Sequence, residues 1–171
     1  LCYCLLTPQS SARQCLQVAD ELERLDFENR PFNPEPLLRS FNGGYVRFHR
    51  KKAERLLAAR SSFPPLLPCF ESTADDKELR LLLAHSIAGL GLKEASHFLR
   101  NIGRTKVAII DRHIIRNMLR IGIIEEPPRS LSRPHYLRLE TIFEELASNL
   151  GIPAEELDLL LWRHETGEIL K

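Results

Sequence analysis

Apolar residues recur along this chain at intervals of three and four, and almost nowhere in strict alternation. That period is helical. "SARQCLQVADELERL" offers Ser10 or Ser11 as a cap, and "NPEPLLRSF" reads as a short helix opened by proline. "YVRFHRKKAERLLAAR" is a basic amphipathic helix that ends before "SSFPPLLP", the clearest irregular connection in the chain. "TADDKELRLLLAHSIAGLG" has a cap at Thr73 or Asp75 and stops at Gly89. A second helix, "KEASHFLRNIG", is closed by Gly103, and "VAII" is a buried connector to a helix that Asp111 caps, "RHIIRNMLRIG". A proline-rich bend, "EEPPRSLSRP", leads to two final helices, "HYLRLETIFEELASNLG" and "PAEELDLLLWRHETG". With no internal repeat, low-complexity tract or strand pair, the pattern predicts an all-α fold in one unit over residues 1–171. The opening "LCYCLL" looks like the end of a buried helix whose earlier part is absent.

Composition narrows the class. Hydrophobic residues at 43% and charged residues at 27% are ordinary globular values, which argues against disorder and a fibrous repeat. No apolar run approaches the ~20 residues that span a bilayer, so no membrane partner is expected. "LCYCLL" is short, lacks a preceding basic region and is followed by "TPQSS", which does not fit a signal peptide. A cytoplasmic protein is expected. Cys2, Cys4, Cys15 and Cys69 show neither a CxxC pair nor an iron–sulfur ladder, and no two of the six histidines have zinc-ligand spacing. Metal chemistry is not suggested.

The net charge of +1 conceals an uneven distribution. Six basic residues between Arg47 and Arg60 stand against Glu54 alone, and six between Arg100 and Arg120 stand against Asp111 alone. Acids concentrate after Glu140. Such polarity fits a basic face turned to a polyanion, although solvated helix faces produce the same counts.

In "HSIAGLGLKEASHFL" a helix ends, a glycine hairpin turns the chain, and a second helix begins. Gly89 and Gly91 permit positive φ and close backbone approach, so the hairpin amides and the next helix's N-terminus can face a phosphate. This is the logic of a helix–hairpin–helix element, spanning about residues 77–103, which grips DNA backbone without reading sequence. Taken alone, the two glycines are equally a helix C-cap and a tight turn, and Lys93 a solvated lysine.

Asp111, in "VAIIDRH", changes that balance. "GLGLKEA" followed by "IIDRH" resembles the active-site signature of the helix–hairpin–helix DNA glycosylases that also cleave the strand. "GLGLKEASHFLRN", "VAIIDRH", the early "CLLTPQS", the "RKKAE" helix and the ending "LLLWRHETGEILK" together resemble the type-2 8-oxoguanine DNA glycosylase/AP lyases of archaea and some bacteria. The resemblance runs over essentially the whole chain, and family members carry further helical sequence before the equivalent of Leu1. It implies a two-lobed all-α fold with the active site in the cleft, duplex DNA containing 8-oxoguanine as the partner, action as a monomer, a nucleoid-associated location in a prokaryotic cell, and no cofactor.

The implied chemistry suits the residues. Lys93 would attack C1′ as an unprotonated amine, forming a Schiff base that permits β-elimination of the 3′ phosphate. A positive helix end, basic neighbours and desolvation favour the neutral amine, whereas a nearby carboxylate opposes it. Asp111 would stabilise the sugar cation and help position or deprotonate the attacking group, while also serving as the cap of its helix.

Weaker assignments surround this pair. Gln9 is either an ordinary loop glutamine or, as the resemblance implies, the amide placed near the orphaned partner base. Phe48 falls where relatives insert a wedge, and core packing is an equal reading. Trp162 is core by spacing alone; the resemblance makes it the ring that stacks on the flipped base, with the carboxylate of Lys171 accepting from N7–H of the oxidised purine. Gly89 and Gly91, with Lys52 and Arg112 from the two basic helices, are expected against the DNA backbone. His97 lies one turn after Lys93, where the eukaryotic-type branch has a cysteine, and reads as a histidine lining the lobe interface. Two alternatives remain at this stage: the same enzyme class acting on another oxidised base, and a non-catalytic DNA-binding module.

Overall fold

Three helix starts are set by side chains close in sequence. The Ser11 hydroxyl accepts the Gln14 amide at 3.4 Å, Asp75 Oδ1 accepts the amides of Lys77 and Glu78 at 2.7 and 3.4 Å, and Asp111 does the same for the helix after it. In a computed structural model describing residues 1–73 and 75–167, the chain forms ten α-helices among the described residues. These are α1 (Cys2–Leu6), α2 (Ala12–Arg24), α3 (Glu35–Arg39), α4 (His49–Ser62), α5 (Leu67–Ser72), α6 (Asp76–Ser86), α7 (Leu92–Asn101), α8 (Arg112–Arg120), α9 (Arg133–Leu150) and α10 (Ala154–Thr166). The pairing of extended backbone among them is one antiparallel bridge, Phe41 with Gly44.

Two expectations need correction. The stretch "SSFPPLLP", residues 61–68, is not an irregular connection: α4 continues through Ser62, and a 3-10 turn at Pro64–Leu66 runs into α5. Its prolines stand in first turns, where a missing N–H leaves no bond unmade. The helix before the hairpin ends at Ser86 and not at Gly89.

The helices form two lobes with separate cores. Leu5, Val18, Leu38, Leu56 and Leu83 belong to the first, and Ile110, Ile114, Met118, Tyr136 and Phe143 to the second. α7 serves both: Leu92 packs with the second core, and Ala95 and Leu99 with the first. A buried polar bridge reinforces the join. Arg80 of α6 binds Glu140 of α9 through both terminal guanidinium nitrogens, with Nη2 2.7 Å from Oε2, and its Nη1 also reaches Ser96 Oγ of α7 at 3.3 Å. No helix among the described residues is long and apolar enough to cross a membrane.

Candidate active site

The hairpin of residues 87–91 sets the site. Gly89 has φ +89, a conformation that favours glycine, and a methyl group there would come within 2.3 Å of Arg55 Cδ and displace that side chain. Gly91 does not have the positive φ expected of it. At φ −81 and ψ 178 it is an extended N-cap for α7, and a methyl there would meet only Glu94 Oε2, at 2.9 Å. With no side chain capping α7, its first amides remain available to an anion.

Lys93 stands in that first turn with its side chain 31% exposed, and its Nζ lies 2.8 Å from Glu94 Oε1. The carboxylate opposite, Asp111, is placed by the backbone around it. Its Oδ1 accepts the amides of His113 and Ile114 at 2.8 and 3.0 Å, which leaves Oδ2 without a hydrogen bond among the described residues. The connector before it is pinned at three successive residues. Tyr136 Oη donates to Ala108 O at 3.1 Å and accepts the Ile110 amide at 3.2 Å, while Asp158 Oδ2 accepts the Ile109 amide at 2.7 Å. Asp158 also binds Arg100 Nη1 at 2.9 Å. Burial pushes the Asp158 carboxyl up to about 6, and burial pushes the Tyr136 phenol up to about 12.

Lys93 and Asp111 share one cleft of about 1630 Å³ with Gln9, Gly91, Arg112 and Trp162. Lys93, Asp111 and Gly91 of the signature thus share a cleft with Arg112 of the basic helix and with Gln9 and Trp162, which the family resemblance alone had singled out. Trp162 is half-buried in the cleft wall and is not core. Gln9 is exposed in a left-handed conformation, φ 56. Phe48 does not pack in the core either: it is 55% exposed at φ 59, with the Arg47 guanidinium 5.5 Å from its ring centre. Gly89 does not line the cleft. Lys171 lies outside the described residues.

Lys52 contradicts its assignment to the DNA backbone. It is 1% exposed, and its ammonium donates to Leu6 O at 2.5 Å, Pro8 O at 2.7 Å and Ser10 Oγ at 2.9 Å. A charge enclosed by three oxygens of its own chain cannot reach a phosphate. The basic helices are engaged elsewhere too: Arg60 binds Glu28 O at 2.9 Å, and Arg116 and Arg120 both bind Glu165 of α10, at 3.0 and 2.6 Å.

His97 lines the same cleft, edge-on to Tyr3 with ring centres 5.5 Å apart. Burial, reinforced by Lys93, holds its imidazole down at about 4, so the ring is neutral at physiological pH. Sequence reasoning missed Asp158 and Tyr136, which place the connector. The lone acid inside "LDLLL", four residues before Trp162, is the signal that was there to read. Among the described residues, no cluster of three or more His, Cys, Asp or Glu could hold a metal ion.

The chain resembles known proteins along its length. A family model described as 8-oxoguanine DNA glycosylase matches residues 1–152. The 8-oxoguanine DNA glycosylase/AP lyase of Korarchaeum cryptofilum is 43% identical over 171 residues, covering 100% of this chain and 80% of that protein. The enzyme of the same name from Methanocaldococcus jannaschii is 39% identical over 171 residues, covering 100% of this chain and 81% of its own. A crystal structure of the Methanocaldococcus jannaschii 8-oxoguanine glycosylase/lyase, in complex with a 15mer DNA containing 8-oxoguanine, superposes with a TM-score of 0.87 at 38% identity, covering 99% of this chain and 80% of that one. On the family match over residues 1–152 and the full-length likeness to these enzymes, the chain belongs to the Ogg-HhH family of 8-oxoguanine DNA glycosylases.

Proposed function

We propose that this protein excises 8-oxoguanine from duplex DNA and then cleaves the strand at the resulting abasic site, acting as a monomer. The observation that carries the proposal is the convergence of Lys93, Asp111 and Trp162 on one cleft. A base extruded into that cleft would meet an aromatic face for stacking and an amine for attack on its sugar.

The chemistry assigns each group a part. Nζ of Lys93 bonds to C1′ as the bond from C1′ to the purine breaks, and the Asp111 carboxylate opposes the positive charge that develops on the sugar. The resulting amine adduct opens to an imine. Loss of a C2′ proton then expels the 3′ phosphate, and water releases the lysine. α7 offers its uncapped N-terminus to the phosphate backbone, and Arg112, exposed at the rim, adds a point charge.

Borohydride trapping on a duplex with a single 8-oxoguanine tests this reading. An adduct with the wild type and none with Lys93→Gln is the expected result. Adduct formation that survives the substitution would remove Lys93 from the mechanism. Binding without any adduct would leave a DNA-binding module, and a panel of other oxidised bases would separate that outcome from a different substrate.

A further inference from the structure

Gln9 and Phe48 lie far apart in sequence, yet both are exposed residues in left-handed backbone, at φ 56 and φ 59. Such a conformation costs a non-glycine residue of order 1 kcal/mol and persists where the surroundings over-determine it. The two are tied together from below. Ser10 Oγ accepts the Arg47 amide at 3.0 Å, and the same oxygen accepts from Lys52 Nζ.

We propose that Lys52 is a positioning residue whose buried ammonium fastens the loop of residues 7–10 into the cleft wall, holding Gln9 toward the DNA for base extrusion. This rests on the glycosylase reading given above. An ammonium has three N–H donors, and here each has an acceptor: the last carbonyl of α1, the Pro8 carbonyl inside the loop, and the Ser10 hydroxyl. Lys52 makes no ion pair among the described residues, so its charge is met by these dipoles. Thr7, Pro8, Gln9 and Ser10 all line the cleft. A neutral side chain of the same length would fill the slot, leaving the Pro8 carbonyl without its donor and the Leu6 carbonyl with only the Cys15 thiol, 3.2 Å away.

The test compares two reactions that share Lys93 but differ in whether a base must be extruded. For Lys52→Met, single-turnover excision of 8-oxoguanine should fall roughly tenfold to a hundredfold, and strand cleavage at a preformed abasic site by less than about threefold. In a Gln9→Ala background the same substitution should add little to the excision defect. Equal losses in both reactions would overturn the proposal.

A second measurement needs no variant. Burial holds the Lys52 amine down at about 8, opposed by Cys15 of α2 and aided by Arg55 and Arg47. Raising the pH through about 8 removes one of its N–H donors, so the wild-type ratio of excision to cleavage should drop there. A flat ratio would sink the idea. If the wild type proved inactive on 8-oxoguanine, the proposed function would fail, while amide hydrogen exchange at Ser10 and Arg47 would still judge Lys52: unchanged protection in Lys52→Met counts against it.

Discussion

Arg80 and Glu140 join the two lobes through a paired contact in which both side chains are almost fully enclosed, 1% and 4% exposed. Desolvating the two ions offsets much of their attraction, but removing one strands the other. Glu140→Leu should lower the unfolding free energy by about 3–5 kcal/mol, read by denaturant titration. A loss under about 1 kcal/mol would mean that Arg80 finds another partner or reaches water.

Asp111 combines a cap and a charge, and the two can be separated. Asparagine caps a helix about as well as aspartate, so Asp111→Asn should unfold within about 0.5 kcal/mol of the wild type. Its excision rate should nevertheless fall by roughly a hundredfold to a thousandfold, because the carboxylate charge facing the sugar is gone. Asp111→Ala should lose both, with a stability cost of about 0.5–2 kcal/mol.

The hairpin glycines should not respond alike. At Gly89 a side chain meets both an unfavourable φ of +89 and the Arg55 side chain, and Gly89→Ala should destabilise by more than about 1 kcal/mol. At Gly91, where φ is −81, alanine needs only a small shift of Glu94 and should cost less than half as much. Thermal unfolding of the two variants side by side checks the order.

Salt dependence should distinguish the arginines of α8. Arg112 is exposed at the cleft rim, and Arg112→Ala should reduce the slope of log binding constant against log salt by about 0.9. Arg120 is held 2.6 Å from Glu165, so Arg120→Ala should change that slope by less than about half as much.

Asp158 makes stability depend on pH. Its carboxyl is raised by burial from an ordinary 3.8 to about 6, so between those values the folded protein keeps a proton that the unfolded chain has released. The stabilisation from this group is complete below pH 3.8 and lost as the pH rises through about 6. Relative to Asp158→Asn, the wild type should lose roughly 3 kcal/mol across that window, measured by denaturant unfolding at either end.

Local chemistry was the legible part of this chain. Ser11, Asp75 and Asp111 cap helices through amides two or three residues away, and the apolar spacing located the helices that supply the fully buried residues, missing α5, whose Cys69 and Phe70 pack on the first core from its edge. That Lys93 and Asp111 line one cleft was expected only through the resemblance carried by "GLGLKEA" and "IIDRH", because the residues read alone gave a tight turn, a solvated lysine and a helix cap. Lys52 was misread because its acceptors lie 42 to 46 residues away, and nothing in "RKKAE" says which lysine turns inward. The same holds for Arg116 and Arg120, whose partner is on α10: composition counts positive charges without showing which ones the fold has already matched.

The sharing of α7 between two cores bears on how far from the cleft a change can be felt. Leu92 and Ala95 flank Lys93 and belong to opposite lobes, while Asp111 leads into α8, whose Ile114 and Met118 pack in the second. Loosening either core shifts one flank of the lysine and leaves the other in place, so a repacking substitution in either lobe misaligns the amine and the carboxylate without unfolding the whole chain.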